Sequence, residues 1–204
     1  MTSRPVLEAI GLVAGVGDHR IEPVDFHLSV DRVVAFVGPS GVGKTTLLRT
    51  LAGLRAPVAG LMNHRGAPPV VCFQEAGLLP WRDAMANVLF GTGRRPGSVD
   101  RARARQLLDS LGLADIGHRA PIELSGGQRR RVALARAFIA AGAAILIDEP
   151  FVHLDDDAAA LVIQAIDDLV QSGTAVGVAV HSQADADRLA AYAVPVRGGP
   201  LTRS

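Results

Sequence analysis

The stretch from Val33 to Leu54, V-V-A-F-V-G-P-S-G-V-G-K-T-T-L-L-R-T-L-A-G-L, limits the possible folds more than any other. Val33 to Val37 are apolar and mostly β-branched, the pattern of a buried strand. A glycine-rich turn follows, and then Leu47, Leu48, Leu51 and Leu54 recur at helical spacing. Between strand and helix, Gly38-Pro39-Ser40-Gly41-Val42-Gly43-Lys44-Thr45 fits G-x-x-x-x-G-K-[ST] at every fixed position. Such glycines let successive backbone N–H groups turn inward around an anion, and the helix N-terminus adds partial positive charge. Lys44 is then placed to reach β- and γ-phosphates, and the Thr45 hydroxyl to ligate Mg²⁺. A chance glycine turn carrying a lysine needs neither the strand before it nor the helix after it. The stretch implies a nucleoside triphosphate site.

A chain of 204 residues can bury one core. A formal net charge of +1 gives no basic face for a nucleic-acid backbone, so no nucleic-acid partner is expected. The one cysteine, Cys72, cannot form an internal disulfide, which fits a reducing compartment. The segment M-T-S-R-P-V-L-E-A-I shows no apolar signal region. Val132 to Ile147 is apolar but broken by Arg136, so it is expected to be a helix end and a buried strand rather than a membrane span.

In chain order, residues 5 to 32 read as half-exposed antiparallel strands, with alternation at Phe26, Leu28 and Val30. Residues 55 to 69, rich in proline and glycine, read as turn or edge hairpin, and Val70 to Gln74 as a buried strand. Helices are expected over Arg82 to Phe90, Ser98 to Leu111 and from Ser125 to about Ala141. Residues 143 to 149 form an apolar strand ending in two carboxylates. Asp155 to Asp157 can cap a helix to about Val170, with Leu161, Ile163, Ile166 and Leu169 inward. Thr174 to Val180 is a further strand, and the tail holds a short helix and an edge segment. The alternation predicts an α/β fold with a mostly parallel sheet, an N-terminal antiparallel β region and a helical insertion near 76–135, all in one domain over 1–204.

Asp148 and Glu149 should end a strand beside that of the phosphate loop, because ligands gather at the C-terminal ends of such strands. Asp148 fits the Mg²⁺ carboxylate, and Glu149 can accept a proton from the attacking water. Leu124-Ser125-Gly126-Gly127-Gln128 has capping-box spacing, so an ordinary helix start explains it too. Yet a glycine-bearing helix tip is also a second anion site, and two such tips in one chain suggest pairing with a second copy.

L-S-G-G-Q followed by D-E resembles the ATP-binding cassette (ABC) ATPases, over about residues 7 to 198. That resemblance implies an ABC ATPase fold, with Gly38, Pro39, Ser40, Gly41, Val42, Gly43, Lys44, Thr45 and Thr46 as the Walker A loop. Gln74 resembles the Q-loop glutamine, which contacts Mg²⁺ and the attacking water. Ser125, Gly126, Gly127 and Gln128 resemble the signature that binds the γ-phosphate held by the opposite subunit. I-L-I-D-E-P resembles Walker B with the catalytic glutamate, Leu154-Asp155 the D-loop, and His181 the switch histidine. His19, His27, His64, His118 and His153 lack such context and read as surface residues.

The resemblance further implies ATP and Mg²⁺ as cofactors, a homodimer of cassettes, and membrane permease subunits on the inner face of the cell membrane. Q-E-A-G-L-L-P-W resembles importers for nitrate, sulfonates, taurine and thiamine-like compounds, which brings a solute-binding protein into the expected partners. Trp81 there reads equally as a docking residue and as a core residue. An alternative is a non-transport ABC ATPase acting with a membrane partner on the cell envelope. A phosphate-loop kinase or GTPase leaves Ser125 to Gln128 unexplained. The family's adenine-stacking aromatic is absent from A-G-V-G-D-H (14–19), so adenine discrimination should be weak.

Overall fold

The computed structural model describes residues 5–200. Met1 to Arg4, part of the segment read as lacking a signal, lie outside the described residues. The elements run β1 (Leu7–Val13), β2 (Gly15–Val16), β3 (His19–Ile21), β4 (Val24–Leu28), β5 (Val33–Val37), α1 (Lys44–Leu51), β6 (Ala59–His64) and β7 (Val70–Cys72). Then come α2 (Ala84–Phe90), α3 (Ser98–Ser110), α4 (Gly126–Ala140), β8 (Ala144–Asp148), α5 (Asp156–Gln171), β9 (Ala175–Val180), α6 (Gln183–Arg188), β10 (Tyr192–Pro195) and β11 (Gly198–Pro200).

A five-stranded parallel sheet in the order β10-β5-β9-β8-β7 is the centre. Its central strands β5, β9 and β8 are apolar up to Asp148 and buried almost throughout, because both their faces are covered, the usual state of a parallel sheet. Side chains alternate between two cores. Val33, Ala35, Ile145, Ile147, Val176 and Val178 face the helices of 84–170, whereas Val34, Phe36, Ala144, Leu146 and Ala179 face α1 and the antiparallel strands. On the second side β4-β1-β6 pair antiparallel, and Phe26 meets Phe36 edge to face with centroids 4.9 Å apart. Each fully buried leucine in these cores contributes roughly 1.5–3 kcal/mol.

Helix α1 ends in a Schellman turn: Leu54 N–H donates to Arg49 O and Gly53 N–H to Thr50 O, with Gly53 at φ +71°. The chain leaves the helix there, so Leu54, expected on the apolar face, is exposed. Two other expectations also shift. Val70 and Val71 are only half-buried because β7 is the sheet edge. Leu161 is exposed at the flank of α5, and Ala158, Val162, Ala165, Ile166 and Leu169 form its inner face instead. Trp81 is 75% exposed, which excludes the core reading. Residues 55–69 do supply an edge strand, β6.

The strand bearing Asp148 does not lie beside the phosphate-loop strand. β9 separates β8 from β5, pairing in parallel with both. Hydrophobic runs fix that each strand is central but carry no sheet order, so local reasoning misses this insertion. Its effect is to bring the end of β9, and His181 after it, between the loop and Glu149.

Candidate functional site

The phosphate loop leaves β5 at Gly38 and enters α1 at Lys44. Gly43 is the N-cap at φ +114°, and it offers no side chain to cap the first turn. A Cβ there would meet Ile21 Cγ2 at 2.8 Å, so the position needs glycine for both angle and space. The first intrahelical bond from this end is Leu47 N–H to Gly43 O at 2.8 Å. The α1 tip thus presents backbone donors and the positive end of its dipole to the cleft.

Lys44 is 4% exposed, and its Nζ donates to Gly38 O at 2.8 Å and Pro39 O at 3.0 Å. Burial lowers its pKa, while the nearby Glu149 and Asp148 charges act the other way. Thr45 Oγ1 donates to Asp148 Oδ2 at 2.6 Å. Asp148 is fully buried, and its Oδ1 has no protein partner. Burial pushes that carboxyl up; the Thr45 hydrogen bond opposes it. A lone oxygen at such a place is the feature a hard cation would satisfy. Among the described residues no three acidic, histidine or cysteine side chains cluster as a cage. Mg²⁺ needs none, since one or two carboxylates plus substrate phosphates and waters complete its shell. Thr45 and Asp148 therefore fit Mg²⁺ held on a triphosphate, and Gln74 lines the same cleft.

Glu149 has φ +52°, an uncommon angle for a glutamate and one costing about 1–3 kcal/mol. It is held from several sides. Its N–H donates to Ala179 O at 2.9 Å, and its Oε1 lies 2.8 Å from His181 Nε2 and 3.9 Å from Lys44 Nζ. His181 Nδ1 stands 3.3 Å from Ser40 Oγ, so one ring spans from the loop to the carboxylate. A cleft of about 480 Å³ is lined by Ser40, Gly41, Gly43, Lys44, Thr45, Thr46, Gln74, Glu149, Val152 and His181. Gly38, Pro39 and Val42 shape the loop instead: two carbonyls take Lys44, and Val42 is buried in the second core.

Ser125 to Gln128 begin α4 elsewhere. Ser125 Oγ accepts from Gln128 N–H at 3.1 Å, and Gln128 Oε1 accepts from Ser125 N–H at 2.9 Å, a complete capping box. Ser125, Gly126 and Gly127 line a second cleft of about 750 Å³ with Gln74, Glu75, Ala76, Arg129, Arg130 and His153. A Cβ on Gly127 would stand 2.7 Å from His153 O, so the tip packs close against the turn after Glu149. Asp155 caps α5, its Oδ1 accepting from Ala158 N–H at 2.8 Å, and lines neither cleft.

Some residues were missed or misplaced from sequence. His19 is half-buried with Nε2 3.4 Å from Val42 O, and His64 is also half-buried, so neither is a plain surface residue. Val16, in the stretch lacking an aromatic, is 51% exposed. Arg130 is the larger omission, being 3% exposed beneath both clefts. It hides in the run R-R-R, but it lies on one helical face with Ala133, Leu134 and Ala137, and that periodicity could have marked it.

The family model described as ABC transporter matches residues 21–152, well over half of the chain. The aliphatic sulfonates import ATP-binding protein SsuB 1 of Rhodococcus jostii is 42% identical over 163 residues, covering 74% of this chain and 64% of the relative. SsuB 2 of Xanthomonas axonopodis pv. citri is 38% identical over 204 residues, covering 96% of this chain and 69% of the relative. The chain thus spans between about three fifths and seven tenths of the length of these two relatives. A solved bacterial ABC transporter cassette, dimeric in its crystal, matches with TM-score 0.79 and 25% identity, covering 97% of this chain and all of the other. Sequence and backbone agree, and the chain belongs to the ABC transporter family.

Proposed function

We propose that the chain is the ATP-hydrolysing subunit of an importer, a single ABC ATPase domain whose 76–135 segment is its helical subdomain. One observation carries the reading: Lys44, Thr45, Gln74, Asp148, Glu149 and His181, far apart in sequence, meet at the uncapped tip of α1. Lys44 would exchange its loop carbonyls for β- and γ-phosphate oxygens, with the first-turn N–H groups of α1 cradling the same phosphates. Mg²⁺ held through Thr45, Asp148 and Gln74 would neutralise charge on those phosphates. Glu149 would take a proton from the attacking water, and His181 would hold that carboxylate in place while reaching toward the γ-phosphate. Ser40 fixes the ring from its other side.

The Ser125–Gln128 tip faces a different cleft, which supports a working pair of chains. Each triphosphate would lie between the loop of one chain and the α4 tip of its mate, with Asp155 near the join. The dimeric cassette among the solved relatives supports this arrangement. Among the described residues no helix is long and apolar enough to cross a membrane. The importer reading, supported by the relatives' names, brings in permease subunits that would hold the pair at the inner membrane face. The relatives' names support aliphatic sulfonates as the solute class, and a separate solute-binding protein would deliver them.

The test is phosphate release from Mg·ATP with no acceptor substrate present, compared with the same protein without Mg²⁺. ADP formed only with an added acceptor, and with the γ-phosphoryl group found on that acceptor rather than as free phosphate, would indicate a kinase and overturn the reading. Vesicles carrying the cognate permease should take up an alkanesulfonate only when this chain and ATP are inside.

A further inference from the structure

Three consecutive arginines on α4 do three different things. Arg129 donates to Leu124 O at 2.5 Å, closing the start of its own helix. Arg131 donates to Leu111 O at 2.7 Å, tying α4 to the end of α3. Arg130 points inward, and its guanidinium is shared between two strand ends. Nη1 donates to Phe73 O at 2.5 Å and Gln74 O at 3.3 Å; Nη2 donates to Asp148 O at 2.5 Å and Glu149 O at 3.2 Å. Nη1 also lies 3.6 Å from Cys72 Sγ.

A buried cation is expensive unless charge or dipoles replace its water. Here the side-chain donors reach no carboxylate, only backbone carbonyls and a thiol. Those carbonyls lie at and just past the ends of β7 and β8, which pair in register through Cys72 and Ile147 and then stop pairing. The two strands emerge at that point with Gln74 on one and Glu149 on the other. Planar, with a rigid fork of donors, a guanidinium can bridge the gap as a single ammonium cannot.

We propose that Arg130 is a positioning residue for hydrolysis. It holds the backbones of Gln74 and Glu149 at one separation, from the helix whose tip carries Ser125. It acts through Gln74 and Glu149, whose carbonyls it holds. Arg136, one and a half turns further along α4, extends the hold by donating to Ala76 O at 2.7 Å and Gly77 O at 2.8 Å. A shift of α4 is thereby passed to both side chains at once.

This role rests on the hydrolysis reading above, and the experiment separates the two. Single-turnover hydrolysis and ATP affinity are measured on the wild type, Arg130→Lys and Arg130→Ala. Loss of the fork should leave affinity within about twofold and lower the hydrolysis rate on the order of 10²-fold, as small misplacements of catalytic groups do. Ethylguanidinium, but not ethylammonium, should restore part of the rate in Arg130→Ala. A folded variant with unchanged rate overturns the proposal, as does a parallel fall of rate and affinity with no rescue, which marks a purely structural arginine. If Arg130→Ala does not fold, Arg130→Lys carries the same rate-against-affinity comparison. A wild type that releases no phosphate removes the hydrolysis reading and this role with it, whereas an active wild type beside an equally active Arg130→Lys removes only this role.

Discussion

Helices α1 and α4 both begin at glycines beside a polar cleft, but one tip is satisfied from within and the other is not. At α4, Ser125 and Gln128 exchange hydrogen bonds across the first turn. At α1, Gly43 supplies no cap, and Lys44 is turned back onto the carbonyls of its own loop. An uncapped tip leaves donors that no side chain of this chain caps and that water or a ligand can take, so α1 suits phosphate binding. A capped tip is stable alone and trades one hydrogen bond for another when an anion arrives. Its net gain is small, as would suit the proposed contact with a second chain's triphosphate. The difference predicts which substitutions abolish binding and which abolish only turnover.

The largest effect should come from Lys44→Ala, which removes the charged partner at the open tip. Nucleotide affinity should fall by about 2–5 kcal/mol, readable by titration calorimetry. Glu149→Gln should keep that affinity but slow hydrolysis by roughly 10²–10⁴-fold. In Mg·ATP it should also accumulate as a two-chain species by light scattering. A strictly monomeric Glu149→Gln protein at saturating Mg·ATP would count heavily against the shared site. Ser125→Ala tests the capped tip: it should cost about 1 kcal/mol of stability in denaturant and block the two-chain species, while leaving single-chain affinity unchanged. If instead it weakens binding as much as Lys44→Ala does, the division between the tips is wrong. The smallest effect concerns the base. With Val16 and a half-buried His19 where an aromatic would stack, ATP and GTP affinities should lie within about tenfold of each other, since no stacked ring there holds the base.

Cys72 offers a control on packing at the β7 edge, beside Arg130. It is 5% exposed, and burial pushes its thiol up. Thiolate is the reactive form, so at neutral pH the folded protein should resist alkylation that the denatured chain undergoes readily. Rapid labelling of the native protein would show that the β7 edge opens.

What could be read from sequence was local. β5, the loop and the start of α1 are contiguous, and strand pattern, glycines and helix pattern agree across them. The capping box at Ser125 and the Asp155 cap are likewise written within four residues. The places where the reading failed depend on partners elsewhere in the chain. Nothing in β8 or β9 says that β9 lies beside β5, although this order is what sets His181 between Ser40 and Glu149. Leu54 and Leu161 look apolar and inward until the Schellman turn and the helix phase are known. Arg130 reads as one solvated charge among three until the carbonyls of two distant strands close around it.

The left-handed backbone at Glu149 sets a direction for any laboratory evolution of this protein. Asparagine or glycine tolerates that angle better than glutamate does, so heat-resistance screens should enrich for their appearance at 149. Clones gained that way would still melt later and still fold, yet would sit idle on ATP. If Glu149 is the proposed base, robustness and turnover compete at one residue, and selection for the first alone would discard the second early.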